Sequence, residues 1–383
     1  LFANGGAPAT GTALGRSPHV YADGHPRRPV AGFDFTFTAE KSVSVLWALA
    51  DPSTREIIYA CHRQAIADVV ALVERDVAKT RIGTNGVAQV DVRGVVAAAF
   101  DHWDSRANDP NLHTHVVIAN RVQGPDGRWR TLDSRAALRA VVAMSERYDA
   151  LLADHITARL GLGWEYRERG PGRNPAYQLA AVPPELVAAF SRRSAAIDAE
   201  TDRLIEAYVG AHGRRPDAVT VLRLRQQATL ATRNTKVVHS LEDLTSQWQA
   251  RAADVLDASP VAWAAKTLSA TRSADPAAPE RPDALVADAA EAVLAALSGK
   301  RSTWTRWNVD AEASRALKAH RFATPDARDT ATAMVADEVA LRSVLLTPPD
   351  VAPTPAALRR LPRLRERTRI DSVGPSTFPP FSI

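Results

Sequence analysis

The chain has 383 residues, 45% hydrophobic, 24% charged and 6% aromatic, the balance of a globular protein long enough for two or three domains. Its net charge of +5 permits a nucleic-acid partner without requiring one, and an Arg-rich, Lys-poor composition follows from G+C-rich coding DNA as readily as from phosphate binding. The single cysteine, Cys61, excludes an intramolecular disulfide framework and a multi-cysteine metal cluster, and no apolar run approaches the roughly 18 residues of a membrane span. A cytoplasmic protein with no membrane insertion is the expectation.

Residues 1–31 are rich in Gly, Pro and Ala without a period and read as a loop-like approach. Residues 32–38, Gly-Phe-Asp-Phe-Thr-Phe-Thr, alternate strictly. That period of two predicts a strand with Phe33, Phe35 and Phe37 on a core face and Asp34, Thr36 and Thr38 on the other. A long helix is expected from about Ser53, where Ser53-Thr54-Arg55-Glu56 fits a capping box, to near Lys79. After the Asn85-Gly86 turn, 88–103 reads as extended and largely buried, and a loop with Asp109-Pro110 leads to a second strand over 113–122 that could pair with it. Beyond Pro125-Asp126-Gly127, a helix is expected over 134–160, stopped by Gly161. A short strand pair follows near 164–168 and 176–181, and then a helix from Pro183-Pro184 toward Gly210. Past 240 the chain turns to Ala-rich helical segments broken by Pro-containing stretches at 275–283 and 347–354. Residues 359–383 lack any period and read as a disordered tail.

The residues with chemistry are His102, His113 and His115. His113 and His115 are two apart on a predicted strand, so their imidazoles share a face about 7 Å apart along the chain, within the span of one metal ion. His102 ends the preceding strand. Three neutral imidazoles would hold a divalent cation and leave coordination positions open for a substrate. Taken alone, an H-x-H pair reads as solvated or hydrogen-bonded histidine, and Asp34 alone as a solvated strand residue.

The surroundings change that balance. Residues 100–106, Phe-Asp-His-Trp-Asp-Ser-Arg, are followed by 109–120, Asp-Pro-Asn-Leu-His-Thr-His-Val-Val-Ile-Ala-Asn. With 32–44, Gly-Phe-Asp-Phe-Thr-Phe-Thr-Ala-Glu-Lys-Ser-Val-Ser, they resemble, in the same order, the relaxase domain of TrwC/TraI-type conjugative proteins, the MobF class. The resemblance covers roughly 30–240. One departure is Glu40, where the family commonly has proline at a strand-to-helix turn. The resemblance implies an α/β (α+β) two-layer domain whose central antiparallel sheet carries a three-His metal site, with helices packed behind it. It also implies a divalent metal on His102, His113 and His115 that binds the scissile phosphate of single-stranded DNA at an origin of transfer, with Asp34 as the carboxylate beside it. Mg²⁺ or Mn²⁺ is the expected ion and Zn²⁺ an alternative; other relaxosome proteins are expected partners.

Relaxases of this class carry catalytic tyrosines upstream of the Gly-Phe-Asp strand. Only Tyr21 precedes it here, and Pro18-His19-Val20-Tyr21-Ala22 does not match the family's motif. Residue 1 is not methionine, so the nucleophile is expected on an upstream segment, and the chain as given is expected to bind DNA without forming a covalent adduct. No G-x-x-x-x-G-K-[ST] occurs, while 284–356 resembles the helical connector that precedes the helicase in actinobacterial relatives, so the chain reads as cut at both ends. The implied organisation is an approach over 1–31, a relaxase domain over 32–240, a connector over 241–358 and a tail over 359–383. DNA contacts are expected from Arg128 and Arg130 beside Trp129, and from Arg223, Arg225, Arg233 and Lys236 on a late helix and its end. Two other readings stay open: a non-catalytic single-stranded-DNA-binding relic, and a metal-dependent phosphodiesterase using water in place of tyrosine.

Overall fold

The computed structural model describes residues 30–170, 174–233, 235, 237–271, 282–346 and 372–373. In chain order the elements are β1 (Gly32–Thr38), α1 (Lys41–Leu49), α2 (Pro52–Leu72), β2 (Lys79–Ile82), β3 (Ala88–Asp91), β4 (Ala97–Asp104), β5 (Pro110–Ala119), β6 (Val122–Gln123) and β7 (Trp129–Arg130). There follow α3 (Ser134–Leu160), β8 (Trp164–Arg167), β9 (Ala176–Leu179), α4 (Pro184–Ala189), α5 (Arg192–His212) and α6 (Ala218–Ala231). The remainder is α7 (Leu241–Leu256), α8 (Pro260–Thr271), α9 (Pro282–Lys300), α10 (Arg306–Ala316), α11 (Pro325–Leu341) and β10 (Ser372–Val373).

The sheet order is β1-β5-β4-β10. β5 is antiparallel to both β1 and β4, and β10 lies parallel to β4 at the edge. β1 has the expected alternation: Phe37 is buried and Phe33 and Phe35 half-buried, with Asp34, Thr36 and Thr38 exposed opposite them. Gly32 is required by close approach, since a Cβ there would stand 2.7 Å from the Ile118 carbonyl oxygen on β5. Tyr21 and Lys236, residues 275–281 of the expected break at 275–283, the break at 347–354, and most of 359–383 lie outside the described residues, while Pro282 and Asp283 already belong to α9.

Several expectations are corrected. α1 is an additional helix, buried from Ser42 to Leu49, and a helix buried on every side has no polar stripe to announce it. Its serines are satisfied internally: Ser44 Oγ accepts from Leu112 N at 3.1 Å, and Ser42 Oγ from Leu179 N at 2.9 Å. α2 opens at Pro52 under an Asp51 cap that accepts from the Ser53 and Thr54 amides, so the Ser53 capping box is displaced by a carboxylate two residues earlier. The extended run over 88–103 divides into β3 and β4, and Val92, Val95 and Phe100 are half-buried with Val96 exposed. The helix expected from 183 breaks into α4 and α5 around Phe190.

Helices α1, α2 and α3 pack behind the sheet around a core centred on Trp47, Ile58, Ile66, Leu112, Val116 and Leu151. α7 joins that core through Leu244, Trp248 and Ala252. α9, α10 and α11 enclose a second apolar cluster, including Val293, Leu297, Val309 and Val339. Charged groups lead its contact with α3. Arg328 is 1% exposed and forks onto Asp154 at 2.5 and 2.7 Å, Arg315 and Lys318 reach Glu146, and Arg147 reaches the Pro325 carbonyl. Among the described residues no helix is long and apolar enough to cross a membrane.

Candidate metal centre

β4 and β5 pair so that His102 stands directly opposite His113, with Phe100 opposite His115; on the other side Thr36 of β1 faces His115 and Thr38 faces His113. Since side chains alternate across a strand, this register puts His102, His113 and His115 on the open face with Asp34, and Asp101 and Thr114 on the face toward α2. The three imidazole centroids form a near-equilateral triangle of 5.1, 5.1 and 5.4 Å. One nitrogen from each ring lies within 4.8 Å of the others, a donor set able to close on a single ion, and all three residues are half-buried. Immediately past His102 the register shifts at a bulge, and Trp103 packs on the core, stacked 5.6 Å from Trp47.

The hydrogen bonds around two of the rings set which nitrogen carries the proton. His115 Nδ1 donates to Asp34 Oδ2 at 2.8 Å, and His113 Nδ1 donates to the Asn111 carbonyl oxygen at 2.7 Å. Both acceptors lack a proton to give, so Nδ1 bears the hydrogen and Nε2 keeps the lone pair a metal takes up. An imidazole binds a metal as a neutral ligand, so a dication held here would keep its full charge. Asp34 is 45% exposed, open to solvent while held by His115.

Behind the three histidines lies a polar network that composition and spacing did not disclose. Tyr59 donates to Asp101 at 2.7 Å, Arg63 pairs with Asp101 at 3.1 Å, and Thr114 donates to Asp101 at 2.6 Å. His62 Nε2 reaches Thr114 Oγ1 at 2.8 Å and His62 Nδ1 meets the Tyr148 hydroxyl at 2.6 Å. Burial pushes the His62 imidazole down to about 3, so it is neutral at pH 7, and burial also raises the Tyr148 and Tyr59 phenols above their ordinary range. Tyr59 is half-buried. Asp109, read as part of a loop, is fully buried and ties the β4–β5 loop to α5 and α7 through Arg192 at 2.8 Å and Arg251 at 2.7 Å.

The residues expected to contact DNA are dispersed. Arg128, 81% exposed on the β6–β7 hairpin, stands 4.0 Å from Asp126, and Arg130 forks onto the same carboxylate at 2.7 and 2.6 Å. Arg223 is exposed on α6, Arg225 pairs with Asp198, and Arg233 is exposed just beyond α6. The Arg106 guanidinium, in the loop after β4, is pushed down by burial and by the neighbouring Arg233 and Arg193, a convergence of positive charge that sequence spacing could not reveal.

The family model described as TrwC relaxase matches residues 1–255, and the chain belongs to that family. Among curated proteins it is similar to the multifunctional conjugation protein TraI of Escherichia coli, 37% identical over 176 residues; TraI of strain K12 is 35% identical over the same length. Each match covers 43% of this chain and 9% of the relative, so the chain corresponds to a small part of those proteins. Among solved structures it is similar to the conjugative relaxase TrwC in complex with OriT DNA. The metal-free form has a TM-score of 0.51 at 29% identity, covering 64% of this chain and 80% of that one. The metal-bound form has a TM-score of 0.52 at 29% identity, covering 64% and 78%.

Proposed function

We propose that this chain is the strand-nicking relaxase domain of a conjugative transfer protein, acting on single-stranded DNA at an origin of transfer. The observation that carries the reading is the triangle of His102, His113 and His115 with Asp34 fixed on His115. In the proposed reaction a tyrosine oxygen attacks the scissile phosphorus and the 3′-oxygen leaves, so the strand is held as a tyrosine–5′-phosphate. A divalent ion on the three imidazoles would supply a Lewis acid that offsets charge gathering on the non-bridging oxygens. Imidazole donors favour Mn²⁺ or Zn²⁺ in affinity, while abundance favours Mg²⁺ as the working ion.

The chain's own groups have distinct tasks. Asp34 holds the His115 tautomer and orients its ring, and being half-exposed it can also take the proton of an attacking phenol. His113 is oriented by the Asn111 carbonyl. Tyr59 and Tyr148 are engaged behind the sheet with Asp101 and His62, and the likeness to TrwC/TraI-type relaxases puts the nucleophile on a tyrosine N-terminal to β1. Arg106, Arg193 and Arg233 give a positive surface suited to phosphates, and Arg128 and Arg223 are exposed enough to add to it; Arg130 would first have to leave Asp126.

The test pairs the chain with single-stranded oligonucleotides from the transfer origin of the element that encodes it, in Mn²⁺ or Mg²⁺. Filter binding and denaturing gels then report affinity and strand breakage. The expected result is tight binding of single strands over duplex of unrelated sequence, reduced in a His113→Ala/His115→Ala variant wherever the bound ion contributes. Equal affinity for any DNA, unchanged by metal or by the double variant, refutes the reading.

A further inference from the structure

We propose that Thr114 is a positioning residue for the metal site, locking β4 and β5 in the one register that brings His102, His113 and His115 together; the inference rests on the reading of those three as metal ligands. Thr114 lies between His113 and His115 in sequence, yet its side chain points to the opposite, fully buried face of β5. It stands directly across from Asp101, the neighbour of His102 in β4. Every ligand is thus the chain neighbour of one member of this cross-strand pair.

The protons can be placed along the whole network. The Asp101 carboxylate, paired with Arg63, accepts, so the Thr114 hydroxyl must donate to it. With its one hydrogen used, Thr114 Oγ1 can only accept from His62, which places the His62 hydrogen on Nε2. His62 is neutral and has one N–H, so its Nδ1 accepts from the Tyr148 hydroxyl. Tyr148, His62, Thr114 and Asp101 therefore form a one-way relay of hydrogen bonds running from α3 through α2 to the sheet, with each hydrogen in use. A slip of one residue in β5 would carry Thr114 off Asp101 and His62. It would also turn His113 and His115 into the core.

Two comparisons isolate this role. Thr114→Val keeps the shape and β-branching but removes the hydroxyl, leaving the His62 N–H without an acceptor and Asp101 short of a donor. Thr114→Ser keeps the hydroxyl. Binding of Mn²⁺ and Co²⁺ is measured by calorimetry and, for Co²⁺, by the visible absorption per bound ion, which reports coordination geometry independently of nicking. The expected result is wild-type affinity and spectrum in Thr114→Ser, and in Thr114→Val a loss of affinity of about 10-fold or more with an altered spectrum, the scale seen when groups supporting metal ligands are removed. Circular dichroism confirms that each variant is folded. Should Thr114→Val not fold, Asp101→Asn is carried through the same measurements with the same expectation, since it removes the charge the relay ends on. Wild-type affinity and spectrum in the folded Thr114→Val or Asp101→Asn chain overturn this inference while leaving the metal site standing. A wild-type chain that binds no ion overturns both.

Discussion

Replacing Asp154 by Asn probes how the helices α9–α11 are held against the sheet domain. Asp154 is 6% exposed and receives both arms of Arg328 at 2.5 and 2.7 Å, with Arg321 at 3.1 Å and the Phe322 amide at 3.3 Å. Arg328 is 1% exposed, and without the carboxylate it keeps only the carbonyls of Leu317 and His320, at 3.2 and 2.7 Å, and the Phe322 ring. Removing one partner from a buried pair costs about 3–5 kcal/mol, because the remaining charge stays desolvated and uncompensated. The amide oxygen can still accept one bond, which sets the expectation for Asp154→Asn at the lower end, about 3 kcal/mol. Urea unfolding followed by tryptophan fluorescence reports it, since Trp304 packs on the α9–α11 cluster. Asp154→Leu combined with Arg328→Met should recover much of the loss, as replacing a whole buried pair by apolar groups is often neutral. A cost below about 0.5 kcal/mol for Asp154→Asn would refute the view that this pair anchors the helices to α3.

Three further outcomes follow from the site and its surroundings. Asp34→Asn should weaken metal binding by about 10- to 100-fold by loosening the His115 ring, measured by calorimetry. His62 is held near pKa 3 when folded against about 6.5 when unfolded, so below pH 6.5 the unfolded chain takes up a proton that the folded chain refuses. Its contribution to stability should therefore fall by up to about 1.4 kcal/mol per pH unit between 6.5 and 3, with a shallower slope over that window in urea melts of His62→Gln. Arg223→Ala and Arg233→Ala should each lower single-stranded DNA affinity and reduce the salt slope of binding by about one, whereas Arg130→Ala should change it less because Arg130 is paired with Asp126.

The parts of this structure that were legible in the sequence are those whose signal is local. Strict alternation in 32–38 gave β1 and its two faces, and the two-residue spacing of His113 and His115 gave their shared face on β5. The αL cap at Gly161 ended α3 as expected. What was hidden depends on contacts between distant residues. α1 has no polar stripe because it is enclosed on every side. The relay from Tyr148 through His62 to Thr114 joins α3, α2 and β5 across separations of 86 and 52 residues, and no periodicity marks it. Asp126 and Arg130 are a different case, since four residues across a Gly127 turn place them within reach, a pairing that composition around Trp129 masked.

The central claim is that His102, His113 and His115 form one metal site on the open face of the sheet. Equilibrium titration of the metal-stripped chain with Mn²⁺, with elemental analysis of the dialysed complex, tests it most directly. The account predicts one ion per chain, and a loss of binding in His113→Ala/His115→Ala while the fold persists by circular dichroism. No bound ion, or binding of equal strength in the double variant, would contradict it.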